Sequence, residues 1–470
     1  MGLFSKELKM IRKYALLPLL ALVVSALLVT DLSALPTGFT QKDLITGLDA
    51  VSSAVLPDGR ILAIEKYGKV TLIKNGVKVA TPFMDWSSKT NSRFEKGMMC
   101  ILADPNFATN NYIYVWYTKA SGNNGIDQVS RFTVTGDVVD GNSEKLMISL
   151  GDSGPQYHHG GGLAIGEDGK LYVASGCRGA INDGEPGPTN AQTKNRVEGK
   201  ILRINIPEGD IPSDNPFYTT NTGDARAVYF WGLRQPFTLS YNSNTKAFWF
   251  SEVRGNSGDD RVNEFGPPGT NYGFGGTGTK NPLWTANSAG ISGRAMIGSL
   301  WYTGTNFPAE YRDKYFFGGI DVTQLKMQDA AHSGAKNFSA FQCPIDVKQD
   351  AVGAIYVTTR CQTEDTRYGD GRVTKVWYGT EPTTDITPEK QSSIAAASRM
   401  NWSVLPGRIL IDLEQAGLQT VELRSLDGKV LAVKNFNAKG PGELTFASAR
   451  GTHLLVWKSG TSQAVTKVVL

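Results

Sequence analysis

The sequence is poor in the residues that usually announce a reaction. Only four histidines and four cysteines occur in 470 residues. The cysteines, Cys100, Cys177, Cys343 and Cys361, match no zinc spacing. The formal charge of +4 is small. Half of it sits in residues 1–34, where Lys6, Lys9, Arg12 and Lys13 face Glu7 and Asp31. What remains gives no reason to invoke nucleic acid. Long amphipathic stretches are few, which favours many short strands. Glycine is the residue in excess, 52 of 470, against a usual share of about 7%. It favours short strands joined by tight turns, because glycine supplies the positive φ that turns need.

The N-terminus carries basic residues Lys6 to Lys13, an apolar run from Ala15 to Val29, and then Leu32-Ser33-Ala34, which offers a small residue for cleavage. This is the layout of a secretory signal peptide over 1–34, and the expectation is export: a secreted, cell-surface or periplasmic protein with no stable transmembrane span after cleavage. An uncleaved anchor is the alternative, although the run is short for spanning a bilayer. No cysteine follows it to carry a lipid.

A turn followed by a short strand and then a second strand recurs six times. Its copies centre on Ile61 to Glu65, Tyr112 to Tyr117, Leu171 to Ser175, Lys246 to Glu252, Lys314 to Gly319 and Ile355 to Thr359. About 55 residues per copy suits one four-stranded propeller blade. The fold expected is all-β, a six-bladed β-propeller over 40–379, with a β-sandwich as the alternative. Residues 380–400 read as a Pro-, Thr-, Ser- and Ala-rich linker, and 401–470 as a small C-terminal β-sandwich. Asp427-Gly428 marks a hairpin turn there.

One covalent link is readable directly. The turn Asp350-Ala351-Val352-Gly353 lies between two strand-like runs, and Cys343 and Cys361 are equidistant from Val352. Residues opposed across a hairpin keep a constant index sum, which sets these two face to face within disulfide reach. A register shift of one residue leaves them unpaired. No pairing is expected for Cys100 and Cys177.

Five segments between about residues 44 and 379 then resemble, in order, the motifs of the glucose/sorbosone dehydrogenase family. They are FEKGMMCILADPNF (Phe94 to Phe107), HHGGGLAIGEDGKLYVASG (His158 to Gly176), EGKILRINIPEGDIPSDNPF (Glu198 to Phe217), VYFWGLRQPFTLSY (Val228 to Tyr241) and SEVRGNSGDDRVNEFGPPGTNYGF (Ser251 to Phe274). The resemblance implies a propeller that oxidises a sugar at its anomeric carbon with pyrroloquinoline quinone and calcium. It puts His158 at the catalytic base, a role histidine fills near neutral pH. Neighbouring His159 is one residue away and open to the same reading. The resemblance puts Arg234, Gln235 and Glu95 at the cofactor, arginine being suited to carboxylates. A structural bridge for Arg234 and a loop cap for Glu95 are the alternatives. For calcium it implies Glu252 and Tyr272, within an oxygen-rich stretch that includes Asp259 and Asp260. A solvated acidic loop is the alternative. The C-terminal region resembles sorting domains of the type IX secretion system, which implies secretion machinery as a partner. A plain accessory or carbohydrate-binding module is the alternative.

The departures bear on the cofactor. Asp321 stands where the family places a lysine, Cys343 to Ile345 where it places arginines, and Gly162 where it has the arginine of HNGGR. Lys326, Arg254 and Arg360 are the cations left to compensate. Against the dehydrogenase stands a second reading, an inactive propeller that binds carbohydrate or protein at the cell surface.

Overall fold

The structure, a computed structural model, describes residues 35–382 apart from 155, 181–183, 185, 243–245, 255–259, 289–294, 332–333 and 362–368. It also describes 400–469 apart from 406–407, 414–418, 425–429, 438–439, 447–451 and 460–461. The leader over 1–34 and Asp259 lie outside the described residues, as does nearly all of the expected linker. The chain divides into two compact units, with the division between Pro382 and Thr383.

The first unit is the expected six-bladed propeller. Its innermost strands, one per antiparallel sheet, are Ala50–Val55, Met98–Ala103, Gly160–Ile165, Gln235–Asn242, Met296–Tyr302 and Pro344–Gln349. Each packs against the next, and the sixth packs against the first, which closes the ring. The repeated strand pairs of the sequence are the second and third strands of each blade. The outermost strand of blade six is the N-terminal strand Phe39–Leu48, paired with Gly371–Tyr378. Closure therefore joins the two ends of the propeller and removes the open edges.

Strand alternation explains where the core sits. Along Tyr112–Lys119 in blade two, Ile113, Val115 and Tyr117 pack with Leu62, Ile64 and Val70 of blade one. The intervening Tyr114 and Trp116 pack with Leu171, Val173 and Leu202 of blade three. Side chains on a strand point alternately to opposite faces, so each blade shares one apolar layer with each neighbour. Glycine lets the inner strands close up: a Cβ on Gly162 would stand 1.7 Å from the Phe237 carbonyl oxygen. That leaves no room for the side chain the resemblance suggests there.

The hairpin reading of blade six holds. Gln349 pairs with Ile355 and Val347 with Val357, both pairs equidistant from Val352. The Cys343–Cys361 disulfide is formed, with Cα atoms 5.0 Å apart. Cys100 and Cys177 are buried free thiols.

The second unit is a β-sandwich of a three-stranded and a four-stranded sheet. Ile409, Ile411 and Leu444 of one meet Val421, Leu423, Leu455 and Trp457 of the other in a single core. Its first strand, Met400–Leu405, was not expected as a strand and begins at the last residue assigned to the linker.

Candidate functional site

The innermost strands surround a cavity of about 270 Å³. Every blade contributes to its lining: Ser52, Met99, Leu163, Thr238, Ile297 and Lys348 come from blades one to six in order. His158, Arg234, Gln235 and Glu95 all line this one cavity. The sequence separates them by up to 140 residues, and the propeller unites them because each lies at or just before the start of an innermost strand.

His158 precedes Gly160–Ile165 and adopts φ +69°, a conformation that costs a non-glycine residue energy and concentrates at functional sites. Two backbone bonds hold it there: its N–H donates to Glu95 Oε2 at 2.6 Å, and its carbonyl accepts the Arg178 N–H at 3.0 Å. Nδ1 lies 3.8 Å from Cys177 Sγ. Burial, the Arg234 cation and His159 depress the imidazole to about 3. His158 is therefore neutral near pH 7, as a proton acceptor must be. His159 is not its rival. Its ring is fully buried, with Nδ1 2.7 Å from Asp127 Oδ2, and Arg178 Nη2 reaches the same oxygen at 2.9 Å. Burial alone would push the Asp127 carboxyl up, but His159 and Arg178 reverse this and hold it at about 2.

Glu95 and Gln235 brace the His158 segment. Gln235 Nε2 donates to Glu95 Oε2 at 2.6 Å, and Gln235 Oε1 accepts the Gly160 N–H at 3.0 Å. Both side chains line the cavity, yet these polar atoms are engaged by the loop. Arg234 is anchored by its backbone, whose N–H donates to Glu252 Oε1 at 2.8 Å, and by Nη1 on the Val253 carbonyl at 3.2 Å.

Of the three cations named as compensating, one lines the cavity. Lys326 bonds Gln324 and Asn337 on the third strand of blade five, Arg254 is an ion-pair partner of Glu252, and neither lines the cavity. Asp321 is exposed at a turn. Arg360 does line it, paired with Asp49 at 2.9 Å. So do Lys66 and Lys348, which sequence reasoning missed. Lys348 Nζ is 2.6 Å from Asp346 Oδ1. Burial works against its charge, but Asp346 outweighs burial and holds the ammonium above its usual range. The missed signal is the alternation of Asp346 and Lys348 with apolar Ile345 and Val347 along an innermost strand, which aims two charges at the axis. Lys66, Arg234, Lys348 and Arg360, set among the apolar walls of Met99, Phe237, Ile297 and Ile345, form a donor set that fits a flat aromatic ligand carrying several carboxylates.

The described residues named for calcium, Glu252, Tyr272 and Asp260, do not fit one. The Glu252 carboxylate accepts Arg234 N–H and Asn263 Nδ2, the latter at 3.1 Å, and pairs with Arg254 and Arg261. The Tyr272 carbonyl accepts Arg261 Nη1 at 3.4 Å. Asp260 spends Oδ1 on the Arg254 N–H and Oδ2 on the Met296 N–H, both at 3.0 Å, and burial raises its carboxyl. Among the described residues no three His, Cys, Asp or Glu side chains gather as a metal site.

Comparison with known proteins places this geometry. The family described as Glucose / Sorbosone dehydrogenase matches residues 49–367. The uncharacterized protein slr1608 of Synechocystis is 31% identical over 244 residues, 47% of this chain and 55% of that protein; the match spans about half the length of that relative. The aldose sugar dehydrogenase YliI of Escherichia coli is 25% identical over 296 residues, 56% of this chain and 74% of that protein. The solved PQQ-bound form of aldose sugar dehydrogenase from Streptomyces coelicolor shares the fold, with a TM-score of 0.56 at 21% identity, covering 73% of this chain and 99% of that one.

Proposed function

The chain belongs to the glucose/sorbosone dehydrogenase family, and from that premise we propose that it is an exported aldose dehydrogenase that oxidises a cyclic sugar at its anomeric carbon, with pyrroloquinoline quinone as cofactor. The observation that carries this reading is a neutral His158 in a cavity lined by four basic side chains. When bound, the quinone supplies a two-electron acceptor. Lys66, Arg234, Lys348 and Arg360 would hold its carboxylates by charge-assisted hydrogen bonds, each worth on the order of 1.5–3 kcal/mol. The apolar wall excludes water and strengthens those contacts. His158 would take the proton of the anomeric hydroxyl, and the quinone would supply the acceptor for the hydride that the anomeric carbon loses as the sugar becomes a lactone. An anion bound beside Arg234 offsets one cause of the low basicity of His158, which makes it a better base in the loaded protein.

Export rests on the basic and apolar pattern of residues 1–34 and agrees with the Cys343–Cys361 disulfide, since such bonds persist in oxidising compartments. The C-terminal sandwich is assigned to sorting by secretion machinery on its resemblance alone.

The deciding experiment is titration of purified protein with pyrroloquinoline quinone followed by dye reduction with a panel of aldoses. Turnover that needs the quinone and vanishes in His158→Ala supports the dehydrogenase. Sugar binding without quinone binding would favour the inactive carbohydrate-binding propeller instead.

A further inference from the structure

Glu252 and Arg261 are directly opposed on adjacent strands of blade four, Ala247–Val253 and Arg261–Glu264. The resemblance sets a calcium ion at Glu252 and Tyr272. In the structure, the guanidinium of Arg261 bridges those two residues, with Nε 3.6 Å from Glu252 Oε2 and Nη1 3.4 Å from the Tyr272 carbonyl. Glu252 is fully buried, and Arg261 is 7% exposed. A buried carboxylate needs a partner cation or several donors, and Glu252 has both. Arg254 Nη1 lies 3.4 Å from its Oε1, and Arg234 N–H and Asn263 Nδ2 complete the shell.

We infer that Arg261 takes the place of calcium, so that a cation belonging to the chain itself holds the Glu252–Tyr272 junction together. Calcium takes six to eight oxygens at about 2.3–2.6 Å. Here one carboxylate faces two guanidinium groups and two N–H donors, and a divalent ion added at this point meets like charge on two sides. Arginine suits a carboxylate beside a carbonyl, because its guanidinium lies against the first as an ion pair while donating to the second, and it stays charged at any working pH. The consequence reaches the cavity. Glu252 also accepts the backbone N–H of Arg234, so the cation that holds Glu252 helps to fix an arginine of the cofactor cavity. The propeller then assembles that wall without metal.

The test reads stability and bound metal on the full chain, independent of turnover, so its failure is separate from any failure of the dehydrogenase reading. Purified protein is assayed for calcium by mass spectrometry and melted with chelator and with calcium chloride. The expected result is less than stoichiometric calcium and a melting temperature indifferent to both additions. Arg261→Gln should melt lower by roughly 5 °C, the scale for removing one partner of a buried ion pair. Calcium should restore part of that loss. Stoichiometric calcium in the parent, with a fall in melting temperature on chelation, would overturn the inference. So would an Arg261→Gln protein as stable as the parent, or one that calcium does not help. If that variant does not accumulate folded, Arg261→Lys keeps the charge on a different reach. It should fold, melt below the parent and ignore calcium, and calcium stabilisation of it would count against the proposal.

Discussion

Glu95 and His158, 63 residues apart, are joined by a 2.6 Å hydrogen bond from the His158 backbone N–H to the Glu95 carboxylate. Gln235 reaches the same oxygen. One carboxylate thus ties the approaches to the innermost strands of blades two, three and four, and it fixes the backbone of a histidine held at positive φ. Glu95 acts on the imidazole through the backbone rather than on the reacting atoms.

This makes Glu95→Gln a sharp test of positioning. The variant keeps one acceptor oxygen but loses the charge that strengthens two hydrogen bonds. Turnover should fall about 10–100-fold, while quinone affinity changes little and the fold persists in circular dichroism. A variant with parental turnover would show that the brace is dispensable.

The pH dependence of stability follows from His158. Its folded pKa, about 3, lies below the ordinary histidine value of 6.5. The unfolded chain therefore takes up the proton first as pH falls. The stabilisation is fully present above about pH 6.5 and is lost as pH drops toward 3, on the order of 5 kcal/mol in all. Asp127 adds a separate loss lower down, between 3.8 and about 2. Thermal melts of the unloaded protein should decline between about pH 6.5 and 4.5, and His158→Gln should flatten that decline. An unchanged slope would place the His158 ring in a far wetter setting.

How much of this was legible beforehand depended on the range of the signal. The blade repeat could be read because turn chemistry and strand alternation are local. The Cys343–Cys361 bond could be read because a hairpin fixes register over a few residues. His158, Arg234 and Glu95 came from motifs. Lys66 and Lys348 did not, because they reach the axis from blades one and six, and only ring closure sets them beside residues from blade four. Arg261 was passed over for a similar reason: inside an acidic stretch it reads as one basic residue among carboxylates, and the strand pairing that puts it opposite Glu252 is what gives it a role.

Lys66→Met and Lys348→Met test the donor set. Each should weaken quinone binding by roughly ten- to a hundred-fold, the scale of one charge-assisted contact, as read by fluorescence titration. Lys348→Met also leaves Asp346 with only Ser52 and Ser53 among the partners described for it, so its melting temperature should fall more than that of Lys66→Met. Affinities equal to the parent in both variants would remove these lysines from the cofactor site.

The Cys343–Cys361 bond closes a separation of 18 residues at the base of the blade-six hairpin. It adjoins the cavity through Arg360, whose backbone N–H donates to the Cys343 carbonyl at 3.1 Å and whose guanidinium pairs with Asp49 of blade one. Losing a disulfide of this loop length costs about 3 kcal/mol on the chain-entropy model, which for a propeller of this size lowers the melting temperature by roughly 4 °C. The double variant Cys343→Ser with Cys361→Ser should show that fall and a weaker hold on the quinone, because the hairpin base that carries Arg360 is no longer tethered. Mass spectrometry of an unreduced digest checks the premise. A linked Cys343–Cys361 peptide is expected, while Cys100 and Cys177, both buried, should react with alkylating reagent only after unfolding. Free thiols at both 343 and 361 in exported protein would refute the bond and, with it, the explanation offered for how Arg360 is held.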